Sequence, residues 1–264
     1  MLGTFTRTAV GTATALLLAT PLWAAEPGAF DEANFSGTAT GTYAYEAASQ
    51  FPNTNTKGIS GEGEFALGAG LHLQGNAGYN YTTLPGTHLS NWNLGGSSYW
   101  RGQMGRAGFV VNYTDVNLAA LGSASTTNYG AFGEYFPNDD FTFGVKGGGF
   151  SGDANGGYAG VSVTGYVFPD FAVTGGMGYT HLNRFGAETD LSVEGEYLIS
   201  EETPFAMFGG YTYSDLSDGG GTVHTFHVGV RFYFNTDGFS TLIERHRGGT
   251  VGTIGTFGPR GLTH

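Results

Sequence analysis

From about residue 34 to residue 234 the chain repeats one device: roughly ten residues with an apolar or aromatic side chain at every second position, then a polar turn or loop. A period of two is that of a β-strand with one apolar face, because successive side chains point to opposite sides of the pleat. In Leu71–Tyr81, Leu71, Leu73, Ala77, Tyr79 and Tyr81 share one face, while His72, Gln74, Asn76 and Asn80 share the other. The same sorting sets Leu191, Val193 and Tyr197 opposite Asp190, Ser192, Glu194 and Glu196. It also sets Phe226, Val228, Val230, Phe232 and Phe234 opposite His227, Gly229, Arg231 and Tyr233. A slip of one residue would carry the charges to the apolar side, so register is strongly specified.

Twelve such segments fall at 34–46, 58–67, 71–82, 91–101, 107–114, 127–136, 141–150, 158–168, 171–180, 189–198, 205–214 and 222–234. Short connections at 68–70, 102–106, 137–140, 169–170 and 199–204 alternate with longer polar ones at 47–57, 83–90, 115–126, 151–157, 181–188 and 215–221. All the short connections then lie at one end of an even-numbered meander. A soluble sandwich shares the period, but the residue placement favours an all-β fold of another kind: a single transmembrane antiparallel up-and-down β-barrel of about 12 strands.

Two placements carry that choice. Aromatic residues gather beside the short connections (Tyr99 and Trp100, Tyr135 and Phe136, Phe141 and Phe143, Phe168 and Phe171, Tyr197 and Phe205), as a girdle at a membrane interface would. A second band, of Tyr43, Tyr45, Tyr79, Tyr81, Tyr113, Phe150, Tyr158, Tyr179, Tyr211 and Tyr213, lies near the other end. Charges meanwhile sort to the inward face: Glu62, Glu64, Arg101, Glu134, Lys146, Asp190, Glu194, Glu196 and Arg231. On the lipid face an Arg or Lys would cost about 2–4 kcal/mol at mid-membrane, and an Asp or Glu somewhat less.

Composition agrees with a wall wetted on one side. Glycine accounts for 48 of 264 residues, and there is no cysteine, which excludes a disulfide framework, a thiol nucleophile and cysteine-held metals. The net charge of −12 leaves no basic footprint for nucleic acid. Residues 1–25, with Arg7, the apolar run from Ala9 to Leu18 and the small-residue end at Ala24 and Ala25, have the order of a secretory signal peptide rather than of a membrane anchor. The expected organisation is a signal peptide at 1–25, a barrel at 26–234 and a periplasmic tail at 235–264.

The last strand adds a motif. His227–Phe234 (HVGVRFYF) places a polar residue, a glycine and two aromatics at His227, Gly229, Phe232 and Phe234. This pattern resembles the carboxy-terminal assembly signal of Gram-negative outer-membrane barrels. The chain as a whole resembles that porin-like class over about residues 30–234. The resemblance implies the bacterial outer membrane as location, with its lipids and the barrel-assembly machinery as partners. In most of that class the terminal aromatic ends the chain, whereas 30 residues, 235–264, follow Phe234 here. A flexible solvated tail is the expectation for them; the alternatives are contact with the cell wall or an assembly partner, and folding into the lumen.

Function is read from the inward face. Six acids against three bases in the inward set predict passive diffusion of small solutes with a weak preference for cations. Inward charges pairing across the lumen as struts are the alternative, which would give a non-conducting structural or adhesin barrel. Inward glycines (Gly144, Gly148, Gly176, Gly178) are read either as space for a narrow passage or as sites of twist. A rim hydrolase is the third reading, with His181, Asn183, Arg184, Ser214, Asp215, Asp218 and His224 as the candidate collection. Polar loops bring such residues together by chance, so no catalytic residue, cofactor or metal is assigned. The histidines lack metal-ligand spacing, and the Ser151–Gly157 run lacks the later ligands of a calcium loop and reads as a turn.

Overall fold

The computed structural model describes residues 35–117, 122–183, 186–199, 204–217, 220–234 and 239–251. The expected signal peptide at 1–25 lies outside them. Twelve strands follow in chain order: β1 (Phe35–Ala48), β2 (Thr54–Gly68), β3 (Leu71–Leu84), β4 (Thr87–Gly102), β5 (Gly105–Asn117), β6 (Ser123–Asn138), β7 (Phe141–Gly152), β8 (Gly156–Phe168), β9 (Phe171–Leu182), β10 (Gly186–Leu198), β11 (Phe205–Leu216) and β12 (Gly221–Phe234). A short helix, α1 (Leu242–Gly248), comes after them. Each strand pairs antiparallel with its chain neighbours, and β1 pairs with β12, so the sheet closes into a barrel without an edge. Closure is what lets a sheet stand in lipid, since every ladder N–H and C=O finds a partner within the wall.

The outer face carries a broad apolar belt. Ile59 (68% exposed), Leu94 (59%), Val145 (59%), Phe168 (62%) and Val228 (59%) stand on it with the other apolar members of their strands. A belt this extensive and this exposed finds its complement in hydrocarbon, not in water. At the closing seam the ring of Phe234 covers Gly37, its registered partner on β1.

Two expectations about the loops are corrected, and the turn expected at Ser151–Gly157 is found. The long loops are mostly strand, and only 49–53, 85–86, 118–122, 153–155, 183–185 and 217–220 lie between paired strands at that rim. Ser, Thr, Asn and Gly continue the ladder above the hydrocarbon because both faces there meet water, so polarity alone does not end a strand. The connection at 83–90 shrinks to the two-residue turn Pro85–Gly86, where Gly86 takes φ +78°, the left-handed value that this turn position requires. The Ser151–Gly157 run is a hairpin end whose Asp153 carboxylate accepts from Ser125 N–H at 2.7 Å.

The aromatic bands also divide. Trp100, Tyr135, Phe141, Phe143, Phe168, Tyr197 and Phe205 are exposed outward, but Tyr99 and Phe136 of the turn-side band, and Phe150 and Tyr158 of the other, are buried inside. Of two adjacent aromatics on a strand, one must face the lumen.

Inward glycines prove to be seats for rings. Tyr158 lies over Gly148 and Phe150 over Gly156, and each ring and its glycine are direct cross-strand partners between β7 and β8. The device recurs between β11 and β12, where Phe208 lies over Gly229 and His227 over Gly210. Gly144 and Gly176 accommodate the hydroxyls of Ser162 and Ser192.

Candidate functional site in the barrel lumen

All nine charged residues of the inward set lie on lumen-facing positions of their strands, as do the assembly-motif residues His227 and Gly229, while Phe232 and Phe234 face outward. The lumen divides into two chemical zones. Near the turn rim three carboxylates each hold a guanidinium. Glu64 lies 2.8 Å from Arg101, accepts from Tyr99 Oη at 2.6 Å and meets His72 Nδ1 at 2.6 Å. Glu134 pairs with Arg106 at 2.8 Å, and Glu196 pairs with Arg231 while accepting from Tyr233 Oη at 2.6 Å. Tyr99 with Arg101 and Tyr233 with Arg231 are the same design: a tyrosine and an arginine two residues apart on one strand, converging on a glutamate two strands away.

From mid-barrel to the other rim the wall is polar and acidic. Glu46, Glu62, Glu188, Asp190 and Glu194 face the lumen there, with Lys146 as the one lumen-facing Lys or Arg among the described residues of this zone. Asn80 donates to Asn91 at 2.9 Å and Asn76 to Asn112 at 3.2 Å, while Glu194 bonds His227 at 2.8 Å and Asp190 accepts from Ser214. Arg106 and Glu188 were assigned to connections by sequence, and strands that begin earlier than expected carry them into the wall; Glu46, at the end of the first expected strand, was left out of the inward set.

The turn-side zone is occupied by the chain's own tail. Residues 239–251 turn back into the barrel, in contrast to the flexible segment expected. Leu242 is fully buried against Ala172, Leu198, Ala206 and Tyr233, and its N–H bonds Pro169 O at 2.8 Å. Arg245 lies over the Tyr233 ring, and His246 Nε2 is 3.4 Å from Glu196. Arg101 donates to the carbonyls of Gly248 (2.9 Å) and Gly249 (2.6 Å), and Arg106 reaches Gly249 O at 2.9 Å. Val251 exchanges two backbone hydrogen bonds with the Gln74 amide and packs on Tyr99 and Phe132. The segment thus crosses the lumen from the β8–β12 side to the β3–β6 side.

A local signal specifies α1. Thr241 Oγ1 accepts from Glu244 N–H while the Glu244 carboxylate accepts from Thr241 N–H at 3.0 Å, a reciprocal capping box. The spacing Thr241-x-x-Glu244 ahead of basic Arg245 and Arg247 is a signal of ordered structure that the sequence reading passed over. Burial raises the Glu244 pKa, but hydrogen bonds from Thr241 and Ser240 outweigh it and hold the carboxyl below its ordinary 4.5. A depressed carboxylate stabilises above its ordinary pKa and loses that contribution as pH falls through the lowered value. A nitroxide on Ile243→Cys should therefore gain mobility as pH drops from about 5 toward 3. Addition of Glu244→Gln should flatten that response; an equal response in both proteins would refute the assignment.

The rim collection does not converge. Ser214 faces the lumen, whereas His224 faces outward and bonds Tyr211 Oη at 2.7 Å. His181 is likewise exposed on the outer face, and Arg184 and Asp218 lie outside the described residues.

No family model and no curated protein matches the sequence. Solved structures do match. An outer-membrane channel from Pseudomonas putida F1 superimposes with a TM-score of 0.58 at 11% identity, over 82% of this chain and 100% of that one. The KdgM porin gives 0.53 at 10% identity over 74% and 99%, and the β domain of the Bordetella autotransporter BrkA gives 0.52 at 13% over 75% and 99%. At these identities the likeness speaks for the fold. With its lipid-facing belt and its closed twelve-strand topology, the chain has the architecture of a bacterial outer-membrane β-barrel.

Proposed function

We propose that the protein is a passive outer-membrane pore for small solutes with a weak preference for cations. The observation that carries this reading is the separation of charge along the lumen. Glu64, Glu134 and Glu196 are neutralised by Arg101, Arg106 and Arg231, so the field of the turn-side zone is small. Glu46, Glu62, Glu188, Asp190 and Glu194 face only Lys146 among lumen-facing lysines and arginines of the other zone. Carboxylates lining a narrow aqueous space raise the local concentration of cations. The KdgM porin has been solved in complex with oligogalacturonate, a polyanion, which the acidic zone of this chain would repel.

Planar-bilayer recording tests the reading. Discrete conductance steps are expected, with a reversal potential in a salt gradient that favours cations. The combined change Glu62→Gln, Asp190→Asn and Glu194→Gln should bring the cation-to-anion ratio toward one. Absence of steps from correctly folded protein, both native and with residues 239–251 released, would remove the pore. A non-conducting structural barrel is the second reading, and the tail lying across the lumen is what favours it.

A further inference from the structure

Among the tail's side chains, Arg247 is held in the most elaborate setting. Its guanidinium carbon lies 4.7 Å from the Phe136 ring centre and 5.5 Å from that of Tyr166. Its nitrogens donate to Asn138 O at 2.7 Å, Phe141 O at 2.7 Å and Thr142 Oγ1 at 3.2 Å, with the Asp139 carboxylate 3.8 Å away. Two aromatic faces and a fan of oxygen acceptors suit a planar, many-donor cation; a compact ammonium could not use both.

The wall builds this setting without help from the tail. The register shift between Tyr135 and Asn138 interrupts the β6–β7 ladder just where the acceptors are needed. The Asn138 side chain then accepts from the N–H groups of Asp140 (3.1 Å) and Phe141 (3.0 Å), which locks the turn and leaves the main-chain oxygens of Asn138 and Phe141 available to the lumen. Other tail contacts are less particular: Arg101 and Arg106 bond backbone carbonyls of Gly248 and Gly249, which most sequences could present.

We propose that Phe136, Asn138, Asp139, Phe141, Thr142 and Tyr166 form a guanidinium-binding site that holds the chain's own Arg247, and that vacating it releases residues 239–251 from the lumen. A free guanidinium compound would compete for the same site and so act as the opener. As a gate this rests on the pore reading; as a latch on the tail it stands independently.

The absence of cysteine makes the test clean. Val251, 2% exposed, is changed to Cys in the full chain, and labelling by a bulky, membrane-impermeant maleimide is timed, with heat-modifiable mobility checked for each variant. Arg247→Ala should speed labelling by at least about tenfold, the change expected on loss of one charge-assisted hydrogen bond. Arg247→Lys should fall between, since it keeps the charge and loses the fork. Methylguanidinium should speed labelling of the protein with Arg247 intact, while methylammonium at equal ionic strength should not, and neither should further speed Arg247→Ala. Unchanged labelling of a folded Arg247→Ala protein, or equal action of the two cations, would overturn the proposal. Fast labelling of Arg247→Ala without any conductance would instead remove the pore reading and leave the latch in place.

Discussion

Gly229→Val is expected to abolish the folded barrel, so that boiled and unboiled samples migrate alike in detergent electrophoresis. A side chain at this position would enter the space of the Phe208 ring, whose Cε1 lies 2.8 Å from the point where a Cβ would stand, and would press on the Gly41 carbonyl of β1. A ring tip can swing aside; a backbone carbonyl of the closing strand pair cannot. Phe208 is moreover fixed on its other side by Arg231, whose guanidinium carbon lies 5.0 Å from the ring centre. Overpacking ordinarily costs about 1–3 kcal/mol, and here it falls on the last strand of the chain, where separating β12 from β1 reopens the sheet. Gly75→Val is the matched control. It adds the same side chain to a strand glycine with nothing within 4 Å, and its barrel should keep its heat-modifiable mobility. Normal folding of Gly229→Val would show that the ring-on-glycine pair is incidental.

Glu196→Leu should lower the unfolding midpoint in urea, measured in lipid vesicles, by an amount equivalent to about 3–5 kcal/mol. Its carboxylate is 4% exposed and receives Arg231 and the Tyr233 hydroxyl, so its removal leaves a buried guanidinium and phenol without their acceptor. Adding Arg231→Met should recover most of the loss, because the uncompensated charge goes with it. A double variant as unstable as the single one would mean that the glutamate acts through shape, not charge. The same change should loosen the tail, since His246 and the Tyr233 ring that faces Leu242 and Arg245 belong to this cluster.

Strand number, order and facing were legible because period-two alternation is local and each strand carries it separately. Leu71–Tyr81 and Phe226–Phe234 were placed on the correct faces residue by residue. The rims were less legible: 83–90 and 115–126 are polar, and polarity looks the same in a loop and in a strand wetted on both sides. Arg106 was missed for that reason, lying one residue outside the expected strand. Tyr99, Phe136, Phe150 and Tyr158 were read as girdle residues because aromatic clustering was weighed above parity, and parity proved the better guide. The seating of rings on glycines needs cross-strand register, which one sequence does not display. Docking of the tail depends on contacts separated by more than 100 residues, such as Arg247 with Asn138 and Val251 with Gln74, and the one local signal, the capping box at Thr241 and Glu244, went unread.

The position of the tail fixes an order of events in the life of each copy. Residues 239–251 follow β12 in the chain and bind surfaces contributed by β3 through β12. Their berth is therefore complete only after the last strand has joined the wall. Until then Arg101 and Arg106 keep their wall glutamates but have no tail carbonyls to meet. On the pore reading every newly made molecule would pass through a leaky infancy, ended by the arrival of residues 239–251. Sealing would then mark maturation, with the docked segment reporting that the wall is whole.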